Sequence, residues 1–426
     1  MTVALLFGTF FVLMLIGLPI ALSLGISSLV TIMLSTSVPI NTIVQNAFTS
    51  LDNFSLLAIP FFVLAGSLMG FGGISRRLLD LANVLIGYVV GGLAMVTVVA
   101  SMFFAAISGS GPATVAAIGS FMIPSMRANN YQGGFAAAIT AAAGSIGVLI
   151  PPSIPFVMYG VVGTVSIGSM FLAGILPGIV LGLCLLIVSY AIAKKNDYVG
   201  SGKPPTFKDV WKAFNEAKWA LLIPVIILGG IYAGLYSPTE SAAIAAVYAL
   251  LIGVFVYREL DLKALYNSFA NAALTNSTTV IIIGFSISFA YLMTLERIPN
   301  TIASFITGIS ENPIIILLII NVFLLIVGMF IDTISAIVIL TPILLPIVTG
   351  FGMDPVHFGV ILVTNLAIGF VTPPLGINLF VASGTGKVPF EHIAKAIIPI
   401  LIMMLIALLV ITYVPTLSTF IPGLAE

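Results

Sequence analysis

The chain has 426 residues, of which 60% are hydrophobic and 7% charged, and its 14 Lys and Arg balance its 14 Asp and Glu. A soluble globular chain carries about 25% charged residues, so a soluble enzyme of this size is excluded, and zero net charge without a basic block excludes a nucleic-acid binder. One cysteine, Cys184, and two well-separated histidines, His357 and His392, exclude a disulfide framework, a Cys-based metal site and a zinc pair at helical spacing.

What remains is an all-α polytopic membrane protein in the lipid bilayer. One span needs about 20 apolar residues. The first candidate, residues 3–33, lacks an A-x-A-like cleavage site and is too long for a signal peptide, so it reads as one retained span. An amphipathic stretch over 40–53 and a span over 54–71 follow. Arg76, Arg77, Asp80 and Asn83 recur on one side of 74–86 and read as the solvated face of an interfacial helix. The apolar run 91–125 is then broken by Ser108-Gly-Ser-Gly-Pro112. Its arms would be about 25 and 20 Å long at 1.5 Å per residue, and the second is too short to cross a core of about 30 Å. Irregular backbone at membrane depth must be buried in protein or line a wet cavity. This segment therefore reads as a re-entrant helical hairpin. Residues 133–165 form a span that the double proline in Gly147-Val-Leu-Ile-Pro-Pro-Ser153 must break, because two adjacent prolines remove two donors and block the preceding turn. A span over 170–193 completes the first half, 1–193.

Residues 194–218 form a linker carrying Lys194, Lys195, Lys203, Lys208, Lys212 and Lys218. Its Gly200-Ser-Gly-Lys203 lacks the Gly and the Ser/Thr that a phosphate loop requires. Phe207, Val210, Trp211 and Phe214 follow helical spacing, with Lys208, Lys212 and Glu216 opposite, so an amphipathic helix on the membrane surface is expected. The second half, 219–426, has spans at 219–236, 239–257 and 278–295. Ser237-Pro-Thr-Glu240 reads as a capping box. A second hairpin at 313–347 turns at Ile331-Asp-Thr333. A second broken helix at 357–382 contains Gly369-Phe-Val-Thr-Pro-Pro-Leu-Gly-Ile-Asn378, and a last span lies at 397–414.

The halves repeat. At one constant offset and without a gap, Pro124 falls on Pro346, Pro151 on Pro373, Pro152 on Pro374, Pro177 on Pro399, Gly147 on Gly369 and Ile146 on Ile368. With the linker cytoplasmic, every one of the 14 Lys and Arg except Arg297 falls inside. This topology puts the N-terminus in and the C-terminus out, and it orients the halves oppositely, as inverted repeats require. Broken helices at matching places in inverted halves mark a transport site. Asp332 is the only acid between Pro313 and Gly352, and an ionisable group at that depth is functional by default. Asp332 and Thr333, with unwound carbonyls near Gly369–Thr372, form one set of hard oxygen ligands. Ser108, Gly109 and Ser110, with carbonyls near Gly147–Pro151, form a neutral counterpart. Neutral and singly charged oxygen sites suit a monovalent cation, here Na⁺, better than Ca²⁺ or Mg²⁺. Helix N-termini at the breaks attract an anion.

The Ser108-Gly-Ser-Gly-Pro112 tip with Ala113-Thr114, the Asp332-Thr333 tip and the paired Pro-Pro breaks resemble the large membrane subunit of TRAP (tripartite ATP-independent periplasmic) transporters over essentially the whole chain. The resemblance implies an elevator-type transporter in the bacterial inner membrane, and Na⁺-coupled symport of an organic anion. It implies two partners, a small membrane subunit and a periplasmic substrate-binding protein. It places Na⁺, at two or more sites, on Ser108, Gly109, Ser110, Gly147, Pro151, Asp332, Thr333, Gly369 and Thr372. Pro152, Ser153, Pro374 and Asn378 are the candidates for substrate contact. The substrate is expected to be a carboxylate, with sialic acid the first guess. Two rivals stand beside this reading. An intramembrane hydrolase would use Ser108 or Ser110 as nucleophile and needs a base nearby. A channel would use the hairpins as a filter.

Overall fold

The computed structural model describes residues 2–200, 202–310 and 312–424; Ser201 of the linker lies outside them. All regular structure among the described residues is helical. The first half runs α1 (Thr2–Leu15), α2 (Ile20–Ser35), α3 (Asn41–Leu51), a 3₁₀ turn (Phe54–Leu57) into α4 (Ala58–Phe71), α5 (Ile74–Ile86), the hairpin α6 (Gly92–Ser108) and α7 (Gly111–Ala128), the broken helix α8 (Gly133–Ser145) and α9 (Ile154–Gly163), and α10 (Ile167–Lys195). The second half runs α11 (Phe207–Tyr232), α12 (Pro238–Leu251), α13 (Leu262–Leu295), α14 (Ile298–Ile309), the hairpin α15 (Pro313–Phe330) and α16 (Thr333–Gly350), the broken helix α17 (Pro355–Gly369) and α18 (Ile377–Gly386), then α19 (Phe390–Ala396), α20 (Ile398–Tyr413) and α21 (Thr416–Gly423). Seven helices among the described residues are long and apolar enough to cross a membrane unaided, so the protein is a multi-pass membrane protein.

Three stretches differ from the sequence reading. The single span expected over 3–33 is the pair α1 and α2. Gly17 turns the chain at a φ of 91°, which favours glycine, and Pro19 ends the turn. Ser35 Oγ reaches Thr2 Oγ1 at 3.4 Å, so the two helices are antiparallel. The pair brings the end of α2 back beside the start of α1. The surface helix expected over 207–216 is instead the start of α11. Thr206 and Asp209 cap it reciprocally, with Thr206 Oγ1 and N donating to Asp209 Oδ2 at 2.6 and 2.9 Å. The third difference is α13, where the span expected at 278–295 begins at Leu262 and is one helix of 34 residues, roughly 51 Å long. Its counterpart in the first half is broken at Asp52-Asn53, where the Asn53 side chain accepts from Ser55 N and starts a new turn.

The expected capping box at Ser237 and Glu240 forms. Arg77, expected to be solvated, is drawn inward. Its Nη1 donates to Glu259 Oε1 at 2.7 Å and to Gly73 O at 2.8 Å, and its guanidinium lies 3.7 Å from the Tyr257 ring. Arg76, Asp80 and Asn83 remain exposed.

Between the hairpins the chain crosses through α8 with α9, then α10, α11, α12 and α13. That is an odd number of passages, so the second hairpin enters from the opposite side and the halves are inverted. They also interlock. α18 packs on α7 and α8, and α9 packs on α16 and α17. Asn378 Nδ2 donates to Ala141 O at 3.2 Å, Arg127 Nη1 to Gly386 O at 3.1 Å and Tyr159 Oη to Pro355 O at 2.6 Å. The hairpins and broken helices thus form one body. It lies against a second body built from α4 with α12 and α13, and α13 with α2 and α3.

The helix crossings leave no room for side chains. A Cβ on Gly369 would run into the Gly328 backbone of α15. Gly369→Ala should therefore cost about 1–3 kcal/mol, read as a lowered thermal unfolding midpoint of purified protein. Gly350→Ala, where nothing lies within 4 Å, should stay within about 0.5 kcal/mol of the parent.

Candidate functional site

The first hairpin tip folds onto its own broken helix. Gly109 adopts a φ of 59°, and a Cβ there would stand 2.8 Å from Pro152 O. Ile154 N donates to Gly109 O at 3.4 Å. The Ser108 and Thr114 hydroxyls lie 2.8 Å apart, and Thr114 Oγ1 also donates to Ser110 O at 2.8 Å. A Cβ on Gly147 would meet that same oxygen at 2.8 Å. The tip and the break are thus held together by backbone and hydroxyl groups. The break keeps one 3₁₀ turn, Ile146–Val148. Ser153, fully buried, donates to Val148 O at 2.6 Å and accepts from Phe156 N at 3.3 Å, which caps α9.

The second tip carries a charge. The offset that aligns the prolines puts Asp332 on Ser110. Asp332 Oδ2 accepts from Ile334 N at 3.0 Å and Ser335 N at 3.1 Å, capping α16. Among the described residues no hydrogen bond engages its other oxygen. Thr333 Oγ1 and Ser335 Oγ are buried without a hydrogen-bond partner among the described residues. In the second break, Asn378 N donates to Phe370 O at 3.0 Å and Thr372 Oγ1 to Ile368 O at 2.8 Å. The Pro151–Pro152 and Pro373–Pro374 bonds are both cis.

Both tips open on one cavity of about 550 Å³. Hairpins that enter from opposite sides and share a cavity must both turn inside the bilayer, so both are re-entrant. The lining includes Gly111, Ile154, Thr333 and Ile377, the first residues of α7, α9, α16 and α18. Four helix N-termini therefore converge there, each carrying partial positive charge. No Lys, Arg or His lines the cavity, and Asp332 is its one charged lining residue among the described residues. An anion entering would be met by backbone dipoles and hydroxyls.

Of the residues singled out in the sequence, Ser108, Gly109, Ser110, Asp332 and Thr333 line this cavity. Gly147, Pro151, Pro152, Ser153, Gly369, Thr372, Pro374 and Asn378 lie outside its lining. Pro151, Pro152, Ser153, Gly147, Gly369 and Asn378 are buried in the packing behind the tips, whereas Pro374 is exposed. Sequence reasoning missed the opposite wall, Ser67 of α4 and Asn271, Thr275 and Thr279 of α13. Their spacing of four residues marks one face of a helix, but only the tertiary fold brings that face to the tips.

The family profile described as "Tripartite ATP-independent periplasmic transporter, DctM component" matches residues 7–417. The chain is 52% identical over 98% of its length to the isethionate TRAP transporter permease protein DctMQ of Oleidesulfovibrio alaskensis, and spans 66% of that longer relative. It is 42% identical to the C4-dicarboxylate TRAP transporter large permease protein DctM of Pseudomonas aeruginosa, over 94% of each chain. It is 38% identical to the sialic acid TRAP transporter large permease protein SiaM of Vibrio cholerae, over 96% of this chain and 95% of that one. The crystal structure of the Alcanivorax borkumensis YdaH transporter shares the fold, with a TM-score of 0.65 at 14% identity over 90% of this chain and 88% of that one.

The cap and the charge of Asp332 can be separated. Asn caps a helix about as well as Asp, whereas Ala does not. Asp332→Asn should keep the parent's thermal stability, and Asp332→Ala should lose about 1 kcal/mol, measured by unfolding of the purified variants.

Proposed function

The chain belongs to the DctM family, the large permease subunits of TRAP transporters, and from that premise we propose that it carries a small organic anion across the bacterial cytoplasmic (inner) membrane by Na⁺-coupled, elevator-type alternating access. The observation that carries this reading is the single cavity between the two bodies, ringed by four helix N-termini and free of basic side chains. Such a site binds an anion by dipoles and leaves room for a co-bound cation to supply the missing positive charge. The oxygen donors fit that cation. The second Asp332 oxygen and the partnerless hydroxyls of Thr333 and Ser335 form a weakly charged set suited to Na⁺, to which the carbonyls near Gly369 and Thr372 would have to be brought. Ser108, Gly109, Ser110, Gly147 and Pro151 are the neutral set of the other half. Hairpins and broken helices would move as one body against α2, α4, α12 and α13.

The partners follow from the same premise. A periplasmic binding protein delivers the anion and a small membrane subunit braces the static body. The substrate reading shifts from sialic acid toward a small sulfonate or carboxylate, because the isethionate relative is the more similar one. A hydrolase is disfavoured, since among the described residues the Ser108 hydroxyl bonds to the Thr114 hydroxyl and to backbone groups of the tip rather than to a base.

The test is reconstitution with both partner proteins and uptake under an imposed Na⁺ gradient. Uptake of isethionate should saturate, exceed that of sialic acid and stop without Na⁺. Asp332→Asn should lower Na⁺-driven uptake at least about tenfold, the order expected for a lost charge-assisted contact. Non-saturating flux, or flux indifferent to Na⁺, would overturn the reading.

A further inference from the structure

The cavity has two unlike walls. One is made of backbone and hairpin tips. The other is the polar strip Asn271, Thr275 and Thr279 on α13, with Ser67 on α4. Ser67 Oγ spends its proton on Ser268 O at 2.9 Å, and Asn271 Nδ2 approaches Ser67 Oγ at 3.5 Å. Thr279 Oγ1 donates to Thr275 O at 3.0 Å. Asn271 and Thr275 are exposed to the cavity. They leave the Asn271 side-chain oxygen and the Thr275 hydroxyl to meet a solute in the cavity that the helix N-termini also line.

The equivalent positions of the other half do not line this cavity. The repeat offset places Asn271 on Thr49 and Thr275 on Asn53. Asn53 sits where the first-half helix breaks and caps the turn that follows. The tips are built largely of backbone groups, which treat any anionic head alike. Discrimination between substrates then has to come from side chains, and hydrogen-bonding side chains discriminate strongly because an unmatched polar group is costly.

Resting on the transport reading above, we propose that Asn271 and Thr275 are specificity-determining residues. They contact the uncharged or distal end of the bound anion from the static body, while the mobile tips hold its charged head. A two-carbon hydroxysulfonate would offer its hydroxyl to this strip, and a four-carbon dicarboxylate its second carboxylate.

The assembled transporter tests this in two ways. Thr275→Val keeps shape and removes the hydroxyl. With Asn271→Leu it should change the ratio of KM values for isethionate and succinate at least about tenfold, with Vmax for the better substrate near the parent's. A purely structural role would lower Vmax for both and leave the ratio alone. In a separate variant, Thr275→Cys should react with a maleimide, and isethionate or succinate should slow the labelling. An unchanged KM ratio and unprotected labelling, with normal parental uptake, overturn this proposal alone. If the parent takes up neither anion while the cysteine is still protected, the strip binds anions and the transport reading fails. Absence of both removes both.

Discussion

Unwound backbone cannot sit in hydrocarbon with its polar groups unpaired, and the architecture turns on how this chain meets that constraint. The first tip is satisfied by its neighbouring break, and each break bridges its own gap. Gly109 O accepts from Ile154 N, Phe370 O accepts from Asn378 N, and Ser153 answers the Val148 carbonyl. Such pairing needs backbones to approach closely, which is why glycine stands at 109, 147, 328 and 369. It also needs the breaks to stay aligned, and the reciprocal packing of α18 on α7 and α8, and of α9 on α16 and α17, provides that. A pair of hairpins and a pair of broken helices thereby become a single body.

The electrostatics follow from the same geometry. Wherever a helix is broken, one new N-terminus is exposed, and four of them meet at one cavity. A carrier must release its cargo as well as bind it, and fixed dipoles attract an anion more gently than a buried guanidinium. Among the described residues the one formal charge on the cavity, Asp332, is a carboxylate. On the proposed reading, a co-bound cation would offset that charge and let an anion enter.

Much of this was legible in the residues. Pro151-Pro152, Pro373-Pro374 and the Ser-Gly-Ser-Gly-Pro tip mark the irregular segments, because proline and glycine act locally and their effect does not wait for tertiary contacts. The isolation of Asp332 in an apolar run pointed to the second tip. Less legible was what neighbours decide. Hydropathy merges α1 and α2 into one stretch, since a four-residue turn at Ile16-Gly-Leu-Pro19 is itself mostly apolar. It splits α11 and α13, since polar and apolar parts of one long helix differ in composition without breaking it. The opposite wall of the cavity depends on how α13 lies against α4, and the capping roles of Asp332 and Ser153 depend on local dihedrals. Neither leaves a mark in composition.

The continuity of α13 has a mechanical meaning. The sequence repeats, yet the corresponding stretch of the first half is jointed at Asp52-Asn53, whereas the second is a single rod through Leu274-Thr275. A joint absorbs displacement by bending, and an unbroken helix passes it from end to end. Two halves related by a near symmetry of sequence thus differ in stiffness. The unbroken helix is the one that lines the cavity, so that wall is backed by the stiffer of the two.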